Sequence, residues 1–307
     1  ASGSASGSAI GSTALKISAK VRITNGREEG MRGIKIRPLF HGNMHCDKDL
    51  LVTGHPDLML TRTNPSKNRV WCEAPSFTYI IEHPDGRMLF DASIDKHWEE
   101  QWLPEYKELA PYDDYTEEQL FENALKNAGL GPEDIDYVFL SHLHVDHAGN
   151  AKLFNTASST QILCHEDEYK AAANMEKDEH FFLRGDYDVP GMRFSTLPGD
   201  IEIMKDVRAI SVPGHTAGTM ALMIHLEHSG TIILTSDACY LKESYDDEVG
   251  SMIGADLEEW GRSMQKIKMF ARNYDATVIP GHDHQLCHEG HGPLCEEERL
   301  RVGGEYD

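Results

Sequence analysis

The sequence has no run of 18 apolar residues, which argues against a transmembrane helix. It does not open with a basic segment followed by an apolar one, so no secretory signal is expected. Ala1–Ser12 instead reads ASGSASGSAIGS, a flexible linker that is left out of the fold. Cysteine is sparse: Cys46, Cys72, Cys164, Cys239, Cys287 and Cys295 form neither a CxxC pair nor a dense framework. Thiols so spaced are expected to stay free in a reducing compartment, the cytoplasm. Positive charge is scarce too, with 29 basic residues against 51 acidic and a formal net charge of −22. A field of that sign repels phosphate backbones, so nucleic acid is not expected as a partner. A neutral or amphipathic small molecule fits better.

What is present is ordinary globular composition, 40% hydrophobic and 26% charged over 307 residues, enough for one large domain or two modest ones. Residues 13–36 are polar and rich in Lys, Arg and Gly, and read as an extended N-terminal arm. Residues 37–76 are expected to hold a strand and a long loop near a site mouth. Phe77–His83 and Arg87–Asp91 are β-prone runs joined by Pro84-Asp85-Gly86, a hairpin with its turn chemistry written out. A helix is predicted over Thr116–Leu130, opened by a capping box from Thr116 to Gln119 and stopped at Gly129. Trp98 and Trp102, four apart in an expected helix, pack inward or line a homodimer contact. Strands are expected at Asp136–Leu140, Gln161–Cys164, Val207–Val212, Met220–Leu226, Thr231–Thr235 and Thr277–Pro280. Helices are expected from Glu166 to about Met175 and over Asp256–Asn273. This alternation with hairpins implies an α/β fold of two mixed sheets covered by helices.

The chemistry concentrates in His142-Leu143-His144-Val145-Asp146-His147, directly after a strand. Imidazole nitrogens and carboxylate oxygens suit zinc first, with iron, cobalt and manganese also accommodated. His215, Asp237 and His282 each follow a later strand beside a glycine or small residue, where backbone can approach a metal. Together these residues are too many for one ion, and two divalent ions are the economical reading.

The pattern HxHxDH, followed by a distant His, Asp and His in that order, resembles the metallo-β-lactamase superfamily over roughly residues 70–285. The resemblance implies an αββα sandwich with metals at one edge between the sheets, and a hydrolase domain over 37–307. It implies that His142, His144 and His215 bind a first metal, that Asp146, His147 and His282 bind a second, and that Asp237 bridges them. The intact motif with a bridging aspartate argues against antibiotic hydrolysis. Tyr240, three residues after Asp237, resembles the N-acyl-homoserine lactonases that quench quorum signals. So do the flanking Leu241-Lys242-Glu243 and acidic 246–249, and also Val70-Trp71-Cys72 and Gly185-Asp186-Tyr187. Ring opening is then expected from a hydroxide held between the ions. Tyr240 would stabilise the oxyanion, and Asp146 would carry a proton to the leaving alkoxide. Val145 departs from the aromatic that several of these lactonases carry there, which leaves the acyl-chain preference open.

Phe181-Phe182-Leu183 and Met252–Trp260 supply either an acyl pocket or plain core. Cys239 is a buried thiol or a ligand. His284, His288 and His291, with Cys287 and Cys295, form either a solvated loop or a third metal site. The alternatives are a glyoxalase II-like thioesterase, a lactonase for another ring, an RNA-processing nuclease, a diiron redox enzyme and a non-enzymatic metal-binding protein. Diiron redox relatives often carry Glu at the second motif His, here His144, and the net charge disfavours a nuclease.

Overall fold

The structure, a computed structural model, describes residues 33–53, 62, 70–155, 160–254, 256–283 and 305–307. The linker, residues 13–32 of the N-terminal arm, and His284, Cys287, His288, His291 and Cys295 lie outside the described residues.

Two sheets form. The first has seven strands: β1 (Lys35–Asp47), β2 (Trp71–His83), β3 (Gly86–Phe90), β4 (Tyr112–Asp114), β5 (Tyr137–Phe139), β6 (Gln161–His165) and β7 (Phe194–Leu197), in the order β4-β1-β2-β3-β5-β6-β7. The second has five: β8 (Ile201–Met204), β9 (Val207–Ser211), β10 (Met220–Leu226), β11 (Gly230–Leu234) and β12 (Thr277–Ile279), in the order β12-β11-β10-β9-β8. Both are mixed: β1–β2–β3 are antiparallel and β3–β5–β6–β7 parallel, while β8 to β11 are antiparallel and β11–β12 parallel.

Alternation along the strands explains the layers, because successive side chains point to opposite faces. Phe77, Tyr79 and Ile81 of β2 join Met220, Leu222 and Ile224 of β10 in one cluster between the sheets. The intervening Ile80 packs outward with Leu89, Val138, Phe121 and Leu125, under the helix Phe121–Asn127. Ala221 and Met223 pack outward against Ile267, Phe270 and Ala271 of the helix Leu257–Tyr274. The order is helix, sheet, sheet, helix, the expected αββα sandwich. Full burial of each such Leu, Ile or Phe contributes about 1.5–3 kcal/mol. No helix among the described residues is long and apolar enough to cross a membrane.

Two expectations shift in detail. β1 begins at Lys35, inside the segment read as an arm. The helix expected from Thr116 starts only at Phe121; the Gln119 side chain does accept from the Thr116 amide at 2.8 Å, but this contact closes a separate turn. Gly129 stops that helix at φ +81°, the left-handed conformation glycine adopts without penalty. Trp98 and Trp102 meet edge to face with ring centroids 5.4 Å apart and are buried in one core cluster.

One buried histidine in β1 makes a prediction independent of any metal. His41 is wholly buried; its Nδ1–H donates to the Gln119 carbonyl and its Nε2 accepts from the Thr78 hydroxyl, both at 2.9 Å. Burial lowers its pKa to about 4, with the Gln119 contact opposing. Unfolded, the imidazole titrates near 6.5, so between these values the unfolded chain binds a proton that the folded chain does not. The stability present above pH 6.5 is therefore lost as pH falls toward 4, by up to about 3 kcal/mol. His41→Gln, which keeps both hydrogen-bonding ends without titrating there, is expected to reduce that acid-side loss by about this amount. Urea unfolding at pH 7 and pH 4 measures it; identical losses in both proteins would contradict the assignment.

Candidate metal centre

The site sits where strands of both sheets end. The loop after β5 carries His142 and His144 and then turns into the short helix Val145–Ala148, which bears Asp146 and His147. His215 follows β9, Asp237 follows β11 and His282 follows β12. Four of the seven side chains thus come from the first sheet and three from the second. Close backbone approach makes this convergence possible. A Cβ on Gly281 would lie 2.7 Å from the Ser236 carbonyl carbon and 3.0 Å from Asp237 Oδ1, so a larger residue would push His282 and Asp237 apart.

All seven predicted ligands fall into two groups: His142, His144, His215 and Asp237; and Asp146, His147, Asp237 and His282. In each group the candidate donor atoms lie within 4.8 Å of one another. The two oxygens of Asp237 divide between the groups. Oδ2 lies 3.7 Å from His142 Nε2 and 3.4 Å from His215 Nε2, while Oδ1 lies 3.2 Å from His147 Nε2 and 3.1 Å from His282 Nε2. Asp146 Oδ2 closes the second group at 3.4 Å from His147 Nε2 and 3.5 Å from His282 Nε2.

The electrostatics match this division. Burial lowers the pKa of His142 and His144 well below the ordinary imidazole value and that of His215 to about 4, so these rings are neutral. Burial also opposes protonation of His147 and His282, but neighbouring carboxylates, Asp237 first and then Asp146, outweigh it and raise both. Burial favours the neutral acid at Asp237, yet His147, His282 and His142 hold it well below the usual carboxylate range.

The donor set fits metal ions. His215 Nε2 lies 3.1 Å from both His142 Nε2 and His144 Nδ1, so three ring nitrogens of neutral imidazoles converge. Lone pairs so arranged repel unless a cation or proton lies among them. His147 Nε2, Asp237 Oδ1 and His282 Nε2 are buried without a hydrogen bond, an arrangement costly for polar atoms unless a metal satisfies them. The other ring nitrogens are fixed from behind. His147 Nδ1 donates to Asp91 Oδ2 and His282 Nδ1 donates to the Pro75 carbonyl, each at 2.9 Å, which aims both Nε2 atoms at the centre. Asp91 also accepts from the Ser141 amide at 2.7 Å and hydroxyl at 3.0 Å, and Ser141 contacts His142 Nδ1 at 3.0 Å.

Tyr240 packs into the centre. Its ring stacks on His282 at 5.4 Å, and its hydroxyl is 3.4 Å from His215 Nδ1. Burial, reinforced by Asp237 and Asp146, raises its pKa well above that of an ordinary phenol, so it remains a hydrogen-bond donor. A cavity opens over Asp146, Asp237, Tyr240 and His282, walled by Met44, Leu50, Leu51, Trp102, Phe181 and Ile253. Of the two candidate apolar segments, then, Phe181 and Ile253 reach the cavity. Met252 is solvent-exposed and Trp260 packs with Cys239 and Met264, so the Cys239 thiol is buried in core rather than among the ligand groups.

Two residues that organise the site escaped the sequence reading. Asp91 was only the end of a predicted strand, although a carboxylate closing an apolar run was its signal. Glu168 lies within the helix expected from Glu166, with no motif to mark it. It is fully buried and accepts from the Leu143 amide at 3.0 Å and the Gly218 amide at 2.9 Å, tying the His142–His144 tripeptide to the loop that carries His215. Its signal was weak: it shares a helix face with Ala172, the other buried residue of Glu166–Ala173. In Glu168→Gln an amide NH₂ must face one of those two backbone donors. Retention of metal is expected to weaken by about 10–100-fold, the usual scale for losing an outer-sphere partner. Competition with a chromogenic chelator measures it, and unchanged affinity would contradict the role.

A family model described as the metallo-beta-lactamase superfamily matches residues 73–282. The chain is similar to an N-acyl homoserine lactonase of Bacillus cereus, 33% identical over 227 residues, covering 73% of this chain and 85% of the relative. It is similar to one of Bacillus thuringiensis, 31% identical, covering 77% and 86%. Among solved structures it resembles an N-acyl homoserine lactone hydrolase with the product N-hexanoyl-L-homoserine bound at its catalytic metal centre. That likeness has a TM-score of 0.73 at 26% identity and covers 90% of this chain and 100% of the other.

Proposed function

The chain belongs to the metallo-β-lactamase superfamily, and from that premise we propose that it opens the lactone ring of N-acyl homoserine lactones by metal-dependent hydrolysis. The observation that carries the dinuclear part of this reading is the division of the Asp237 carboxylate, one oxygen toward each group of histidines. His142, His144 and His215 would hold one divalent ion, and Asp146, His147 and His282 a second, with Asp237 shared. The imidazole and carboxylate set favours zinc, and iron, cobalt and manganese also accept it. When bound, such a pair supplies Lewis acidity and a water acidic enough to attack a carbonyl near neutral pH.

The remaining work belongs to side chains. Tyr240, kept as a neutral phenol, donates a hydrogen bond to the lactone carbonyl oxygen as negative charge grows there. Asp146 is the more exposed of the two site carboxylates, with 12% of its side chain accessible against 2% for Asp237. It faces the cavity, and burial is outweighed by His147 and His282 so that it stays ionised. It takes up a proton and delivers it to the ring oxygen as the acyl–oxygen bond breaks. Leu50, Leu51, Phe181 and Ile253 give the acyl chain an apolar wall and keep bulk water from the reacting carbonyl.

A pH-stat assay on the metal-loaded protein tests the proposal, with a lactone panel run beside an acyl-glutathione thioester and metal content measured on the same sample. The expected outcome is one acid equivalent per acyl-homoserine lactone opened, with two ions per chain. Failure on every lactone, in a sample holding both ions, would sink the reading.

A further inference from the structure

Two cysteines outside the ligand groups face each other across the first sheet. β1 and β2 are antiparallel with Cys46 opposite Cys72. The backbone alternation can be read from the neighbours: His45 N–H points away from β2 to the Pro111 carbonyl at 3.0 Å, whereas Lys48 N–H reaches the Val70 carbonyl at 2.7 Å. Cys46, like Lys48, therefore directs its backbone toward β2, and the two cysteines form a hydrogen-bonded cross-strand pair. Cα atoms in such a pair are about 5.5 Å apart. A disulfide spans Cα separations of about 4.4–6.8 Å. The two side chains also influence each other: Cys46 lowers the pKa of Cys72, with Lys48 assisting against burial, while Cys72 and burial raise that of Cys46. Cys72 is half-buried, and Cys46 is buried in the wall of the metal cavity, with the Met44–Ala74 pair on the next rung of the same face.

We propose that Cys46 and Cys72 are a reversible thiol–disulfide site, closed by a low-molecular-weight disulfide such as oxidised glutathione, and that closure reshapes the cavity wall and slows turnover. The Cys72 thiolate attacks one sulfur of the small disulfide, whose S–S bond breaks and releases one thiolate. Cys46 then gives up its proton to solvent and its sulfur attacks the Cys72 sulfur, displacing the second small thiolate. The protein loses two protons and two electrons, and the oxidant is reduced to two thiols. Opposed Cβ atoms in a hydrogen-bonded pair sit wider than a relaxed disulfide prefers, so the bond is strained and is readily reduced again. Closure draws β1 toward β2 and takes the Cys46 sulfur out of its packing in the cavity wall.

The effect on turnover rests on the lactonase reading, whereas formation of the bond does not. The test incubates the full metal-loaded chain across ratios of oxidised to reduced glutathione and quenches it in acid. Three quantities are then measured: the cross-linked peptide pair, kcat/KM for an acyl-homoserine lactone, and metal content. The expected result is a Cys46–Cys72 linked pair two hydrogens lighter. It is accompanied by a several-fold fall in kcat/KM at constant metal content, and both are reversed by reduced glutathione. Cys72→Ser, which lies outside the cavity lining, keeps its basal activity and loses the oxidative response. A glutathione adduct that stays on Cys72 without ring closure overturns the proposal. So does a closed bond that leaves kcat/KM unchanged, or the same oxidative loss in Cys72→Ser. If no lactone is turned over at all, the peptide mapping still decides whether the bond forms.

Discussion

Asp237→Asn is expected to abolish tight binding of the metal pair and, with it, nearly all lactone hydrolysis. The substitution keeps shape but removes the negative charge that four imidazoles face, two on each oxygen. Breaking a buried charge pair from one side costs about 3–5 kcal/mol. At about 1.4 kcal/mol per tenfold, that corresponds to roughly 10²–10⁴ in affinity or in kcat/KM. Because Oδ1 and Oδ2 serve different groups, both ions should weaken together rather than one alone. Metal content after gel filtration and kcat/KM with zinc restored to the buffer measure the two effects. An Asp237→Asn protein that keeps two ions and turns over within tenfold of wild type would remove the bridging role.

Tyr240→Phe should show a contrasting signature. The ring stacks on His282 and stands edge-on to His215, and phenylalanine preserves both contacts. Only the hydroxyl is lost. Metal content is expected to be unchanged, and kcat to fall by about 10²–10³, the range seen when one preorganised oxyanion donor is removed. KM should change little, since an interaction made mainly in the transition state lowers kcat and kcat/KM together. The difference between wild type and variant should be flat through neutral pH, because burial keeps the phenol protonated there. A kcat within threefold of wild type would instead make Tyr240 a packing residue.

The site was far more legible in the sequence than its support was. Metal chemistry restricts ligands to few residue types, and four of the seven candidates lie within one hexapeptide, so local spacing singles out side chains that the structure brings together. His215, Asp237 and His282 were found because each follows an apolar strand directly. Asp91 and Glu168 were not, because their meaning lies in partners 50 or more residues away for Asp91 and 25 to 50 away for Glu168. Strands written as a short, nearly continuous apolar run, such as Met220–Leu226, match the expected bounds. β1 was blurred by Pro38 and Gly42. Ile36 N–H points away from β2 to the Tyr306 carbonyl at 2.9 Å, so Pro38, two residues on, turns its nitrogen to the same outer side and takes no hydrogen bond from the β1–β2 ladder. Gly42, at φ +94°, lies beside an irregularity between Phe40 and Asn43 that shifts the register and breaks the apolar period. The capping pattern at Thr116 misled because its contact is real but serves a turn rather than the helix that follows.

The division of the ligands between the sheets has a mechanical meaning. Four are fastened to one leaf of the sandwich and three to the other, so the ions would act as a clasp along the rim where the leaves meet. Whatever free energy the metals gain on binding then also resists the leaves parting, since the assembled set of donors exists only when they are together. Stripping the ions would therefore loosen the joint as well as silence the chemistry, and protease cutting near Gly281 should be among the earliest signs.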